Sequence, residues 1–72
     1  MIIGPETLKE WFTYHAPKGD QPAKYEAIRE AGLNLAQVIH ANTPGSADQS
    51  AAIRKVREAV MTANAAVACE GV

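Results

Sequence analysis

The sequence predicts an all-α fold: a short N-terminal helix plus an antiparallel two-helix hairpin, assembling into an interlocked helical homo-oligomer. Two long segments space their apolar residues by three and four, the period of a helical seam. These are Tyr25, Ile28, Gly32, Leu35 and Ile39 in one segment, and Ile53, Val56, Val60, Ala63 and Val67 in the other. The break Asn42-Thr43-Pro44-Gly45 between them turns one seam back onto the other. Length supplies the third observation. The 72 residues make one domain, 1–72, and a domain near this size buries only ~60% of the surface its unfolded chain exposes. A single cysteine, Cys69, rules out an internal disulfide, and two distant histidines form no metal-ligand pattern. Self-association is the remaining source of stability.

The first helix starts at Gly4-Pro5-Glu6-Thr7, with proline in the first turn and an acid at the positive end of the helix dipole. Leu8, Trp11 and Phe12 give it one apolar face, so it reads as a strap laid on something larger. Asp20-Gln21-Pro22 opens the second helix, with a capping-type residue ahead of a proline whose missing amide costs nothing there. This helix runs to about Ala41. Gly32 lies within its seam at a cost of about 1 kcal/mol relative to alanine, which points to close approach by another backbone or a ligand, or to simple tolerance of a weak position. Ser46-Ala47-Asp48-Gln49 matches a capping box and starts the third helix, which extends to about Cys69. A second stripe, Ala52, Ala59 and Ala66, lets another helix come near if it is more than helix-forming alanine. Arg54 and Glu58 stand four apart, in the less favourable order for a weak surface pair.

Composition narrows the function. Hydrophobic residues make up 47% but aromatics only 6%, which suits thin, closely packed helices. A net charge of −1 argues against a partner that is a nucleic-acid polymer. No run of about 18 apolar residues offers a membrane span, and the start Met1-Ile2-Ile3-Gly4-Pro5 lacks the regions of a secretory signal, so a soluble cytosolic protein is expected. Neither a nucleophile with its base, a catalytic carboxylate pair nor a metal set is assembled; the expectation is a non-enzyme with no cofactor and no catalytic residues.

The chemically capable residues concentrate in the linker Phe12 to Gln21, "FTYHAPKGDQ". A tyrosine ring at position 14 is able to stack on a nucleobase, an interaction worth about 1–3 kcal/mol. Lys18 and Arg29 supply charge for phosphates, arginine with two parallel hydrogen bonds. His15 offers a donor to a phosphate or a base edge. Together they describe a small nucleotide pocket. Each also has an ordinary reading: Tyr14 closing a cluster with Trp11, His15 as a loop residue, Lys18 in a solvated turn, Arg29 on an exposed helix face.

Two stretches, "YHAPKGDQPAKYEAIREAG" from Tyr14 to Gly32 and "REAVMTANAAVA" from Arg57 to Ala68, resemble a family of small phage and prophage proteins. These are the anti-CBASS and anti-Thoeris sponges, which sequester the cyclic-nucleotide signals of bacterial immunity. The resemblance covers about Phe12 to Ala68. It implies hexamers of interlocked helical protomers that hold cyclic dinucleotides of the 3′,3′-cGAMP type between subunits without cutting them, in the cytoplasm of the infected bacterial host. Some members also take cyclic trinucleotides at separate sites, and a related branch captures cyclic ADP-ribose isomers. By resemblance Tyr14 is the base-stacking aromatic and Arg29 the basic contact on the following helix, with His15 and Lys18 as weaker candidates in the same linker.

Three departures bear on the carry-over. Ala16-Pro17 replaces a frequent Pro-Pro, and Thr62 stands where tryptophan is common. Cys69 and Glu70 occupy the region where relatives often carry a basic residue; if that residue serves a trinucleotide-type site, this chain lacks it. The competing reading is a helical protein-protein interaction module with no nucleotide binding.

Overall fold

The computed structural model describes residues 3–71 and contains three helices and, among those residues, no strand. They are α1 (Pro5–Trp11), α2 (Gln21–Asn42) and α3 (Ala47–Ala68). The two long helices, each of 22 residues, are about 33 Å in length. Gln21 at the start of α2 touches Val67 at the end of α3, Gly32 meets Val60 and Val56, and Gln49 reaches His40, so the hairpin is antiparallel as expected. No helix among the described residues is long and apolar enough to cross a membrane.

The helix ends follow the sequence with two corrections. Asp20 is the N-cap of α2 by position, but its backbone (φ −90, ψ 4) is not the extended form that aims a cap, and its side chain makes no capping bond. Its carboxylate pairs with Lys24 at 3.3 Å instead. Ser46 does cap α3, its Oγ accepting from the Gln49 amide at 3.1 Å. The reciprocal half of the expected capping box is missing, because Gln49 Nε2 donates to the carbonyls of His40 (3.2 Å) and Thr43 (3.1 Å). Those carbonyls belong to the end of α2 and the loop after it, where intrahelical donors have run out. Asn42 Nδ2 and Thr43 Oγ1 serve the Val38 and Ile39 carbonyls in the same way.

α3 ends in a Schellman turn: the amide of Gly71 donates to Ala66 (3.0 Å) and that of Glu70 to Val67 (3.2 Å). The turn needs a left-handed residue, and here that residue is Glu70, at φ 51. A non-glycine side chain in that region costs roughly 1–2 kcal/mol.

Packing between α2 and α3 differs from the expected seam at two positions. Leu35 is half exposed at the groove edge, and Ala36 takes the inward place between Gly32 and Ile39. Gly32 is a close-approach glycine, and within the chain its nearest neighbours are side-chain atoms of Val60 and Val56 rather than backbone. A Cβ there would collide with Cγ2 of Val60, a β-branched side chain with little rotational freedom. α1 is attached lightly. Of its expected apolar face, Trp11 lines a groove of about 490 Å³ with Met61, Thr62, Ala65, Ala66 and Cys69, while Leu8 is half exposed and Phe12 points away at 83% exposure. Thr62 therefore borders open space where a larger side chain would pack. Cys69 is the C-cap of α3 and 7% exposed, its Sγ 3.9 Å from the Glu10 carbonyl.

One chain does not close a core. Among the described residues only Cys69 and Gln21 are buried, and no side chain falls below 2% exposure. The accessible surface is 5683 Å², about 1,300 Å² more than the ~4,300 Å² typical of a 7.7 kDa monomer. The radius of gyration of 15.1 Å likewise exceeds the ~11 Å of a compact domain this long.

Gly32→Leu is expected to destabilise the protein by about 1–3 kcal/mol through overpacking against Val60, and Ser46→Ala by about 1 kcal/mol through loss of the α3 cap. Thermal unfolding checks both, and an unchanged midpoint for Gly32→Leu would contradict the helix contact. Cys69 is expected to react with an aromatic disulfide reagent slowly in the native state and rapidly in denaturant; immediate native labelling would contradict its burial.

Candidate functional site

The linker between α1 and α2 is braced at both ends. At the first, Nε2 of His15 lies 2.8 Å from the Glu10 carbonyl and 3.5 Å from its Oε1. A carbonyl only accepts, so Nε2 carries the proton. At the second, the amide of Lys18 donates to Oε1 of Gln21 (3.1 Å) while the Gln21 amide donates back to the Lys18 carbonyl (3.0 Å). Gln21 is 7% exposed, and its Nε2 donates across 46 residues of sequence to the Val67 carbonyl at 3.1 Å.

Between these braces lies a depression of about 230 Å³, walled by Glu10, Tyr14, His15, Lys18, Gln21 and Glu70. The Tyr14 ring stands at its rim, 84% exposed, so it does not close a cluster with Trp11. Lys18 Nζ pairs with Glu70 Oε1 at 3.2 Å, with both side chains well exposed. Such a pair is worth about 0–1 kcal/mol, so an incoming phosphate competes with it at small cost. A second depression of about 520 Å³ lies along the Lys18–Gln21 wall and reaches Lys24 and Ala66.

Arg29 is elsewhere. It lies eight residues into α2, about 12 Å along the helix from Gln21. There it lines a groove of about 410 Å³ between the long helices, together with Leu33, Ile53, Met61 and Arg57. Neither arginine has an ion-pair partner among the described residues, and Arg54 and Glu58 form no pair either. The structure thus gathers Tyr14, His15 and Lys18 at one depression and places Arg29 on a different one within the same chain.

Gln21, Glu10 and Glu70 are wall residues that sequence reasoning did not select. Gln21 sits in "DQP", a helix-start pattern that accounts for the residue without a second role. Its bond to Val67 depends on the antiparallel register, which no local pattern displays. Glu70 follows the last seam position, and its left-handed backbone has no sequence signature, since glycine is the residue that announces such a turn.

Comparison with known proteins returns one family. The family model for the Acb2/Tad1 hairpin domain matches residues 4–68, spanning α1, the linker, α2 and α3. Searches of curated proteins and of solved structures return no match. With nearly all of its length covered by that model, and with three helices arranged as its hairpin, the chain belongs to the Acb2/Tad1 hairpin-domain family, a family of anti-CBASS and anti-Thoeris sponges.

Proposed function

We propose that this protein binds and sequesters cyclic dinucleotide immune messengers of the 3′,3′-cGAMP type without cleaving them, and so blocks activation of a CBASS effector. It does so as a homohexamer in the cytoplasm of an infected bacterial host. The observation that carries the reading is Tyr14. Its ring is 84% exposed at the rim of a lysine-bearing depression, held there by braces on either side. A stacking aromatic needs that presentation, whereas a core aromatic would be covered.

Energetics ties the ligand to the assembly. Nanomolar capture at 25 °C requires about 12 kcal/mol, and one base stack supplies about 1–3 kcal/mol. The depression that Tyr14 rims, of about 230 Å³, is also smaller than the 300–1,000 Å³ usual for ligand pockets, and the larger one beside it shares Lys18 but not Tyr14. Both shortfalls are met when a second copy covers the lip and brings its own Arg29, which lies too far along its own α2 to serve the same chain's Tyr14 depression. The surplus surface of about 1,300 Å² per chain compares with the ~800 Å² that each partner buries in a standard interface, so there is enough for more than one contact.

Cyclic trinucleotides and cyclic ADP-ribose isomers are secondary candidates. A separate trinucleotide site at the end of α3 is disfavoured, because Glu70 there puts a carboxylate, already paired with Lys18, where relatives often carry a cation. The alternative, a protein-protein interaction module, draws on the exposed Leu33, Val38 and Met61, which would then cover a foreign partner rather than further copies.

Tyr14→Ala is expected to reduce 3′,3′-cGAMP binding at least tenfold by calorimetry while the sedimentation coefficient stays that of wild type. Unchanged affinity would remove the stacking role. Messenger released from the wild-type complex by heating is expected to be chemically intact, and a linear product would replace sequestration with hydrolysis.

A further inference from the structure

The only polar residue buried as a whole among the described residues is Gln21, in the first turn of α2, a place that water normally reaches. Burying a primary amide is costly unless both its ends are bonded. Here they are, and to two different parts of the depression. Oε1 accepts from the Lys18 amide, which fixes the C-terminal end of the linker. Nε2 donates to the Val67 carbonyl, and that same oxygen accepts from the amide of Glu70. Lys18 and Glu70 form the ion pair that flanks the depression. One side chain therefore bonds the backbone of Lys18 directly and shares the Val67 carbonyl with the backbone of Glu70, tying the linker to the turn that carries the other member of that pair.

We propose that Gln21 is the positioning residue of the linker lip: it holds Lys18 and Glu70, and through the short span Ala16-Pro17 the Tyr14 rim, in place before ligand arrives. This inference rests on the nucleotide-binding reading of the same depression. Its physical content is preorganisation. A linker already ordered loses less conformational freedom on binding than a free one, and the difference appears as affinity. Gln21 also walls the depression, so positioning is told apart from direct contact by the protection of the Lys18 amide in ligand-free protein, which a contact made only with ligand would not change. A purely structural staple between α2 and α3 would alter unfolding temperature and assembly but leave the affinity of the surviving assembly unchanged.

The test uses the full chain in three parts. Amide hydrogen exchange on ligand-free wild type is expected to show the Lys18 amide protected well beyond the exchange rate of a free peptide. Free-peptide exchange there would overturn the proposal without any variant. Gln21→Met, which keeps length and loses both bonds, is expected to bind 3′,3′-cGAMP at least tenfold more weakly than wild type and to lose protection at Lys18, measured on the fraction that assembles. Gln21→Glu keeps an acceptor for the Lys18 amide and loses the donor to Val67, so its affinity is expected to fall between the two. Equal affinity in wild type and Gln21→Met would overturn this inference alone. Wild type that takes up no cyclic nucleotide would overturn the binding reading, and this inference with it.

Discussion

Two helices packed side by side have one seam to bury, and every other apolar surface they carry remains in water. That constraint governs this protein. The seam itself is tight: Gly32 lets α2 settle against Val60 of α3, and Gln49 and Gln21 stitch the hairpin at its two ends. Beyond the seam Leu33, Leu35, Val38 and Met61 stay half exposed or more, and no side chain among the described residues reaches full burial. A third helix of seven residues is too short to act as the missing layer. Hydrophobic burial is the dominant favourable term in folding, and the described chain leaves exposed apolar side chains that the proposed assembly would cover.

The same incompleteness organises the site. The Tyr14 depression has an exposed aromatic ring and a lysine but a small volume, while Arg29 and Arg57 border an apolar groove on another face with no carboxylate pairing them among the described residues. Neither face alone has what a dianionic, two-base ligand needs. In the proposed assembly, faces from two copies would combine to supply stacking, charge and exclusion of water, and folding and binding would then draw on one set of interfaces. Within each copy the lip is fixed by local bonding rather than by packing. His15 faces back toward α1, and Gln21 reaches across to the end of α3. This division explains why a linker of nine residues between helices holds a definite shape with so few apolar contacts.

Much of the fold was legible in the sequence because its signals are local. The seam periods located α2 and α3 to within a residue or two, Pro5 and Pro22 marked helix starts, and Asn42 to Gly45 marked the turn. What escaped was the content of longer contacts. A capping-box pattern at Ser46–Gln49 was half right, because the unsatisfied carbonyls of α2 compete for the Gln49 amide. Gly32 signalled close approach without saying to what, and Leu35 matched the seam spacing while Ala36 faces it. In the site, tyrosine, histidine and lysine were visible as a cluster because they are neighbours in sequence. Gln21, Glu70 and the separation of Arg29 were not, because they follow from tertiary register and from a left-handed residue that is not glycine.

The proposed unit of function is the assembly, in which one chain is incomplete and its copies enclose the ligand together. Native mass spectrometry of the purified protein, alone and mixed with 3′,3′-cyclic GMP-AMP, tests it most directly. The expected result is a hexamer that gains discrete masses of intact dinucleotide, with no ligand retained on any monomer. A stable monomer, or ligand bound one to one by a single chain, would contradict it.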